Sequence, residues 1–323
     1  ATWYNSDGSL ERLWPDVPVI GMRKDTAGNS HVSLGYAPLV AGQTYTVSTY
    51  VYIPVGTIVG GAVPYMRTFP ANTSRGSLAY NGSAYHGWQI QPNAASVQEE
   101  IELALSKLHG NQKIEVVGCG RTDAGVHAQQ YFLHTDLPLA WDPQQLIFKL
   151  NRMTPPDLAF FQAWEMQHDL HARFDATQRT YRYFIHQQKN PFKEQFSWYV
   201  QSQLDFQAMN EAALHLLGVQ DFGSFSKLHT DVKTNICEVF SAQWHTANNE
   251  IFFEISANRF LRNMVRAIVG TLIEVGLGKI SAADLPAIIA AKDRSEAAVS
   301  VPAHGLFLWE ITYAQAPEFH STH

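Results

Sequence analysis

The chain has 323 residues, of which 46% are hydrophobic and 16% are charged. This composition excludes a wholly disordered chain, because there is enough apolar side chain to bury a core in two or three domains of roughly 100–200 residues. The formal net charge of −6 excludes a uniformly basic nucleic-acid-binding protein, so any RNA site must be a local basic patch.

The number of cysteines and the hydropathy of the chain narrow the class of protein further. Cys119 and Cys237 are the two cysteines, which cannot form a disulfide scaffold and lack the spacing of a zinc site. No apolar stretch reaches the roughly 18 residues of a membrane helix, and no secretory signal is visible at Ala1. We therefore expect a protein of the reducing cytoplasm that contacts no membrane.

Residues 1–77 are predicted to form a β-rich extension of unknown role. No Asp, Glu, Lys or Arg occurs from Thr26 to Met66, and residues 43–53 are rich in β-branched and aromatic side chains, which predicts a strand. This stretch faintly resembles glycan-binding or phage-tail modules. The alternative is an accessory segment without a role in any chemistry.

From residue 96 onward, helices and strands are interspersed. Ser96 and Glu99 form a capping box at the start of a helix that stops at Gly110. Because the strands do not alternate regularly with helices, we expect an α+β fold with mixed, mostly antiparallel sheets and helices on one face. Strands are predicted at 113–117, 129–135, 157–166, 180–187, 236–245, 251–257 and 306–313, and further helices at 143–153, 206–217, 260–275 and 282–292. A polar tail is predicted at 315–323.

A glycine-flanked loop at 118–128 contains the residues best suited to chemistry. Small residues around Asp123 permit a tight turn and the close approach of a substrate. A carboxylate beside Arg121 and a second cation would stay ionised, as a nucleophile or base requires. The alternative is an aspartate that only forms the turn.

Two further patterns are basic. Arg259, Arg262 and Arg266 lie just before and within the helix predicted at 260–275. They are three and four residues apart, so all three are expected on one helix face. Arg266 borders the apolar stripe, where it needs a carboxylate partner such as Asp123, although a solvated basic face is equally consistent. Residues 171–183, which include Arg173, alternate arginine with aromatic residues and suit phosphate contacts and base stacking.

Seven motifs in one order connect these patterns to a family. Residues from about 78 to 313 resemble the TruA family of tRNA pseudouridine synthases. The motifs are AYNGSAYHGWQIQPNAASVQEE (79–100), GCGRTDAGVHA (118–128), HARFDATQRTYRY (171–183), LLGVQDFGSF (216–225), NRFLRNMVRAIVG (258–270), AAKDR (290–294) and GLFLWEI (305–311).

The resemblance implies the fold, reaction and partners. It implies two α/β domains, at 78–172 and 173–314, with an active site in the basic cleft between them. The implied enzyme is an isomerase that converts uridine to pseudouridine in the anticodon stem–loop of tRNA, at tRNA positions 38–40. It also implies a homodimer that uses no metal, organic or other small-molecule cofactor.

The resemblance assigns roles by matching position. Asp123 matches the catalytic aspartate, and Arg121 matches an arginine that helps to flip the target base out of its stack. Tyr181 matches the tyrosine that stacks on the uracil, Arg266 the residue that pairs with the aspartate, and Leu306 an apolar residue near the base. To these substrate-binding residues we add three predicted RNA contacts, Arg173, Arg259 and Arg262.

One departure from the family leaves alternatives open. Residues 72–77 have the composition of a loop where the family has an apolar first strand, so we expect that strand to be truncated. The alternatives are a catalytically impaired tRNA-binding protein and a fusion whose N-terminal module binds glycan. A third alternative is a hydrolase built on Asp123 and His127.

Overall fold

The computed structural model describes residues 2–4, 10–12, 20–24, 30–34, 73–165, 171–227, 234–247 and 250–314. The chain divides into two compact units, 1–66 with 320–323 and 67–319. The first unit contains two antiparallel strand pairs, β1 (Thr2–Tyr4) with β2 (Leu10–Arg12) and β3 (Ile20–Lys24) with β4 (Ser30–Leu34). The predicted strand at 43–53 and the predicted tail at 315–323 lie outside the described residues.

A single mixed sheet of ten strands runs through the described part of the second unit. Its strands are β5 (Thr73–Tyr80), β6 (Val117–Gly118), β7 (His127–Asp136), β8 (Leu158–Glu165), β9 (Ala176–His186), β10 (Trp198–Tyr199), β11 (Gly218–Asp221), β12 (Ile236–Ala247), β13 (Glu250–Ala257) and β14 (Leu306–Tyr313). The main path has the order β11-β12-β13-β9-β14-β7-β5-β8, with β6 on β7 and β10 on β9. Only the β14–β7 and β10–β9 pairs among them are parallel. The mixed, mostly antiparallel α+β fold is therefore confirmed, and β14 joins the strands of both predicted domains in one sheet.

The described helices are α1 (Val97–Leu108), α2 (Pro143–Met153), α3 (Phe206–Leu214), α4 (Met264–Gly276) and α5 (Leu285–Ala291). They pack on this sheet through apolar faces. α3, α4 and α5 share one core with β9, β12, β13 and β14, in which Met209, Leu272 and Phe253 are fully buried. α2 lies against β8, where the Asn151 side-chain amide exchanges two hydrogen bonds with the main chain of Phe160 at 2.7 and 2.8 Å. None of the described helices is both long and apolar enough to span a bilayer.

The prediction that the strand before the motif at 79–100 is truncated is wrong, because β5 runs over the eight residues Thr73–Tyr80. It pairs with β7 from Thr73 opposite Asp136 to Tyr80 opposite Ala128, and with β8 from Ser74 opposite Glu165 to Tyr80 opposite Leu158. Main-chain hydrogen bonds to two neighbouring strands need no particular side chain, so a sequence with loop composition can form an interior strand.

The start of α4 also differs from its prediction. The helix begins at Met264, not at residue 260, because Asn263 adopts a left-handed conformation with φ of 67°. Arg259 and Arg262 therefore lie in the loop before α4, and only Arg266 is on the helix. Other boundaries also differ from prediction: β6 is confined to Val117–Gly118, β9 begins at Ala176 and not at residue 180, α3 ends at Leu214, and the region 282–292 is a 3₁₀ turn followed by α5.

Candidate active site

Asp123 lies in the loop from Gly118 to Val126 that connects β6 to β7, here called the Asp123 loop. Its carboxylate is partly buried and lies between two guanidinium groups. Arg262 Nε is 3.8 Å from Oδ1, and Arg266 Nη1 is 3.8 Å from Oδ2. Two cations at this distance stabilise a charged carboxylate, which can act as a nucleophile or a base.

The two arginines differ in how firmly they are held. Arg266 Nε donates to the Val301 carbonyl at 2.7 Å, and Val301 N donates to the Arg266 carbonyl at 3.2 Å. Its side chain is 21% exposed, whereas that of Arg262 is 60% exposed. Arg266 is thus fixed by the segment before β14, while Arg262 is accessible to a substrate.

The Asp123 loop is anchored on both sides of Asp123. Thr122 Oγ1 lies 2.9 Å from the buried hydroxyl of Tyr80, and its carbonyl accepts from Trp88 N at 3.3 Å. Gly87 has a φ of 97°, and a Cβ there would lie 2.3 Å from the Thr122 carbonyl oxygen. Gly125 N donates to the Tyr85 carbonyl at 3.1 Å. The motif at 79–100 therefore contacts the Asp123 loop on both sides of Asp123 and fixes its position.

Tyr181 reaches the site from β9. Burial raises the pKa of its phenol far above the ordinary value, and the nearby Asp123 carboxylate acts in the same direction, so the hydroxyl stays protonated. The Phe260 ring lies edge-on to it, with 5.1 Å between the ring centroids. In the neighbouring β14, Leu308 is opposite Tyr181, and Leu306 is opposite Tyr183 and 95% buried. Leu306 therefore belongs to the core next to the site.

His127 is adjacent in sequence to the Asp123 loop but directed elsewhere. Its Nδ1 accepts from Gly82 N at 3.1 Å, so Nε2 carries the proton and donates to the His304 carbonyl at 3.1 Å. Both ring nitrogens are occupied by main-chain groups. His127 has no ring nitrogen left to pair with Asp123. It therefore cannot be the general base of the alternative hydrolase built on Asp123 and His127.

Arg179 is a residue of the site that the sequence patterns did not single out. Its guanidinium donates to four main-chain carbonyls, those of Ala176 at 2.5 Å, Asn258 at 2.8 Å, Cys119 at 3.4 Å and Arg173 at 2.5 Å. It thereby connects the Asp123 loop, the turn at 171–175 and the loop that carries Arg262. Its place within the arginine-rich motif at 171–183 was the only sequence signal.

The other predicted residues lie outside the ion pairs of Asp123. Arg121 is exposed and makes no hydrogen bond or ion pair with any described residue, and Arg173 is exposed on the turn that Arg179 holds. Arg259 is near Cys237, where burial raises the thiol pKa to about 11 and the arginine charge opposes that rise. No group of three or more His, Cys, Asp and Glu side chains arranged for a metal ion occurs in the part of the chain that the structure describes.

Comparisons with known proteins identify relatives of this chain. A family model described as tRNA pseudouridine synthase matches residues 77–175 and 212–314. The tRNA pseudouridine synthase A of Bacteroides fragilis is 50% identical over 242 residues, covering 74% of this chain and 95% of that protein. The protein of the same name from Porphyromonas gingivalis is 50% identical over 240 residues, with 73% and 95% covered. That from Bacillus subtilis is 39% identical over 240 residues, with 73% and 97% covered.

Proposed function

Because this chain belongs to the tRNA pseudouridine synthase family and is an isomerase that makes pseudouridine in tRNA, we propose that Asp123 is its catalytic residue and the anticodon stem–loop its target. The observation that carries this proposal is the Asp123 carboxylate between Arg262 and Arg266 at 3.8 Å. The carboxylate is partly buried, lies between two guanidinium groups and is held on an anchored loop.

The reaction rearranges bonds within a single nucleotide. The N1–C1′ bond breaks, the uracil turns in the site, and C5 bonds to C1′. The hydrogen on C5 leaves to solvent while N1 gains a proton. Asp123 starts the reaction either by attacking C1′ or by removing the proton on C2′, and both roles need the ionised form.

The surrounding residues receive the roles that the family resemblance implies. Arg266, fixed by Val301, keeps the Asp123 carboxylate charged and oriented. Arg121, exposed on the same loop, enters the space that the target base leaves when it flips out of its stack. The protonated Tyr181 stacks on the uracil, and Leu306 is part of the apolar wall beneath it.

Three exposed or partly exposed arginines, Arg173, Arg259 and Arg262, contact phosphates of the RNA. Each such contact releases counterions, so affinity for tRNA falls as salt rises. We also propose a homodimer, which light scattering tests, and a location in the cytoplasm with the tRNA substrate.

Tritium release from tRNA labelled as [5-³H]uridine tests the function, since C5 loses its hydrogen only when it bonds to C1′. We expect release by the full chain in the presence of EDTA, because the reaction uses no metal or organic cofactor. Asp123→Asn should lower the rate at least about a thousandfold and leave tRNA binding nearly unchanged.

Asp221→Asn is the matched control. Asp221 is also 25% exposed and lies 3.4 Å from Lys292, but it is outside the Asp123 loop. Equal loss of rate in both variants, or wild-type rates in Asp123→Asn, would contradict the assignment. A primary isotope effect with uridine deuterated at C2′ selects proton removal over attack on C1′.

A further inference from the structure

Phe174 is an exposed aromatic residue that takes no part in the contacts around Asp123. Its side chain is 74% exposed. The Arg173 guanidinium lies over the ring, 5.7 Å from the centroid, and the His171 ring centroid is 4.2 Å away. A single exposed phenylalanine is ordinary on a protein surface, so its meaning depends on how and where it is held.

The turn that presents Phe174 is held in a defined conformation. His171 Nδ1 accepts from Arg173 N at 3.0 Å and from Phe174 N at 3.3 Å. Asp175 N donates to the His171 carbonyl at 3.1 Å, and the Asp175 carboxylate accepts from His171 N. These bonds close the turn on itself, so Phe174 points outward from a fixed backbone.

Arg179 ties this turn to the Asp123 loop. The same Nη2 atom donates to the carbonyls of Arg173 and Cys119. The distance between those two carbonyl oxygens therefore cannot exceed the sum of the two hydrogen-bond lengths. Cys119 is four residues before Asp123, so the turn that carries Phe174 is held against the start of the Asp123 loop.

We propose that Phe174 is a stacking platform for an unpaired base of the tRNA beside the target uridine, with Arg173 contacting the adjacent phosphate. This inference rests on the proposed function and adds a specific substrate contact to it. An exposed aromatic face next to a guanidinium matches what single-stranded RNA offers, a base with a π-face followed by a negative phosphate. The negative Asp175 is held by His171 N on the inner side of the turn.

Binding of an unmodified tRNA transcript tests the platform. Phe174→Ala should weaken affinity roughly 5- to 150-fold, because base–aromatic stacking is of that size. Phe174→Trp should keep wild-type affinity, whereas Phe174→Leu, which is apolar but cannot stack, should behave like Phe174→Ala. The KM for tritium release should rise in parallel with little change in kcat, and the melting temperature should not move because the side chain is exposed.

The chain provides a matched control in Phe148 on α2. Phe148 is 57% exposed and has the Arg152 guanidinium 5.4 Å from its ring centroid, but it lies on the helix that packs against β8. We expect Phe148→Ala to bind as the wild type does. Equal affinities for Phe174→Ala and Phe148→Ala would overturn the proposal, as would full affinity in Phe174→Leu. Failure of the proposed function is a separate result, namely no tritium release by the unaltered chain.

Discussion

His127 holds three segments together through one uncharged ring. Its Nδ1 accepts from Gly82 N and its Nε2 donates to the His304 carbonyl, so the motif at 79–100, the start of β7 and the turn before β14 meet at this residue. The Phe307 ring stacks on it with 4.5 Å between centroids. Burial lowers the pKa of His127 more than its main-chain acceptors raise it. A second ring proton would face the Gly82 N–H, so this arrangement requires the neutral form.

We expect this residue to make folding stability depend on pH. The unfolded chain takes up the proton as pH falls through about 6.5, whereas folded His127 stays neutral to a lower pH. The stability that neutral His127 contributes to folding is therefore complete above pH 6.5. It is lost as pH falls through the lower pKa that His127 has in the folded chain. His127→Asn keeps an acceptor for Gly82 N and cannot titrate. Urea unfolding at pH 7.5 and 5.5 should show a smaller loss of stability on acidification in His127→Asn than in the wild type.

The comparison isolates His127 because the other histidines are unchanged. Burial also lowers the pKa of His186 and His304. Both are present in the wild type and in His127→Asn, so their effect on stability drops out of the difference between the two proteins. An identical loss of stability in the two proteins would show that His127 does not carry this dependence.

The Asp123 loop takes its position from another element, the segment that precedes α1. Gly87 combines a left-handed φ with contact to the Thr122 carbonyl, and Thr122 is next to Asp123. The nearest obstacle to a Cβ at Gly87 is main chain, which cannot rotate away as a flexible side chain can. A side chain there must therefore strain the segment or push the loop.

We expect Gly87→Ala to lower the free energy of unfolding by at least about 2 kcal/mol and to reduce kcat for tritium release. Gly110→Ala is the matched control, because Gly110 has a φ of 66° and a Cβ added there would meet nothing within 4 Å. It should cost about 1–2 kcal/mol of conformational strain with kcat unchanged. Equal effects on kcat would mean that Gly87 does not position Asp123.

The ends of helices could be predicted from the sequence where neighbouring residues determine them. α2 matches its prediction at both ends, and its start has a local signal because Asp142 accepts from Gln145 N at 2.9 Å and Pro143 fits the first turn. At α1, Ser96 accepts from Glu99 N at 3.3 Å as predicted, but the return bond from the Glu99 side chain to Ser96 N, which completes a capping box, is not formed between these two described residues. The start of α4 was missed because apolar periodicity continues through Asn263, where the backbone changes hand.

Contacts between distant segments were not predictable from local patterns. The four acceptors of Arg179 range from 3 to 79 positions away along the chain, so no spacing rule points to them. The pair of Arg262 and Arg266 at Asp123 was anticipated only in part. Arg266 was proposed as the partner, but Arg262 reaches the carboxylate from a loop and not from the helix face on which it was expected.

At the scale of the whole molecule, β5 joins the sheet before the family match begins. The match starts at residue 77, while residues 73–76 already pair with β7 and residues 74–76 also pair with β8. A chain starting at residue 67 should therefore keep wild-type tritium release and stability. One starting at residue 77 loses paired main chain on two sides and should be less stable by several kcal/mol, at about 0.5–1.5 kcal/mol per hydrogen bond.

Urea unfolding and tritium release of the two shortened chains check this expectation. Equal stability of both would mean that residues 73–76 contribute no strand pairing. Loss of release on removing residues 1–66 alone would show that the first unit takes part in the reaction.

Synthesis on the ribosome gives the position of β14 a further consequence. β14 is the last described strand in chain order, yet it lies between β9 and β7 in the sheet. The carbonyls of Val301 and His304, which hold Arg266 and His127, belong to the segment leading into it. A nascent chain therefore lacks both its interior strand and a fixed Arg266 until residue 313 has left the exit tunnel. We therefore expect a growing copy of this enzyme to be inactive while it is still attached to the ribosome.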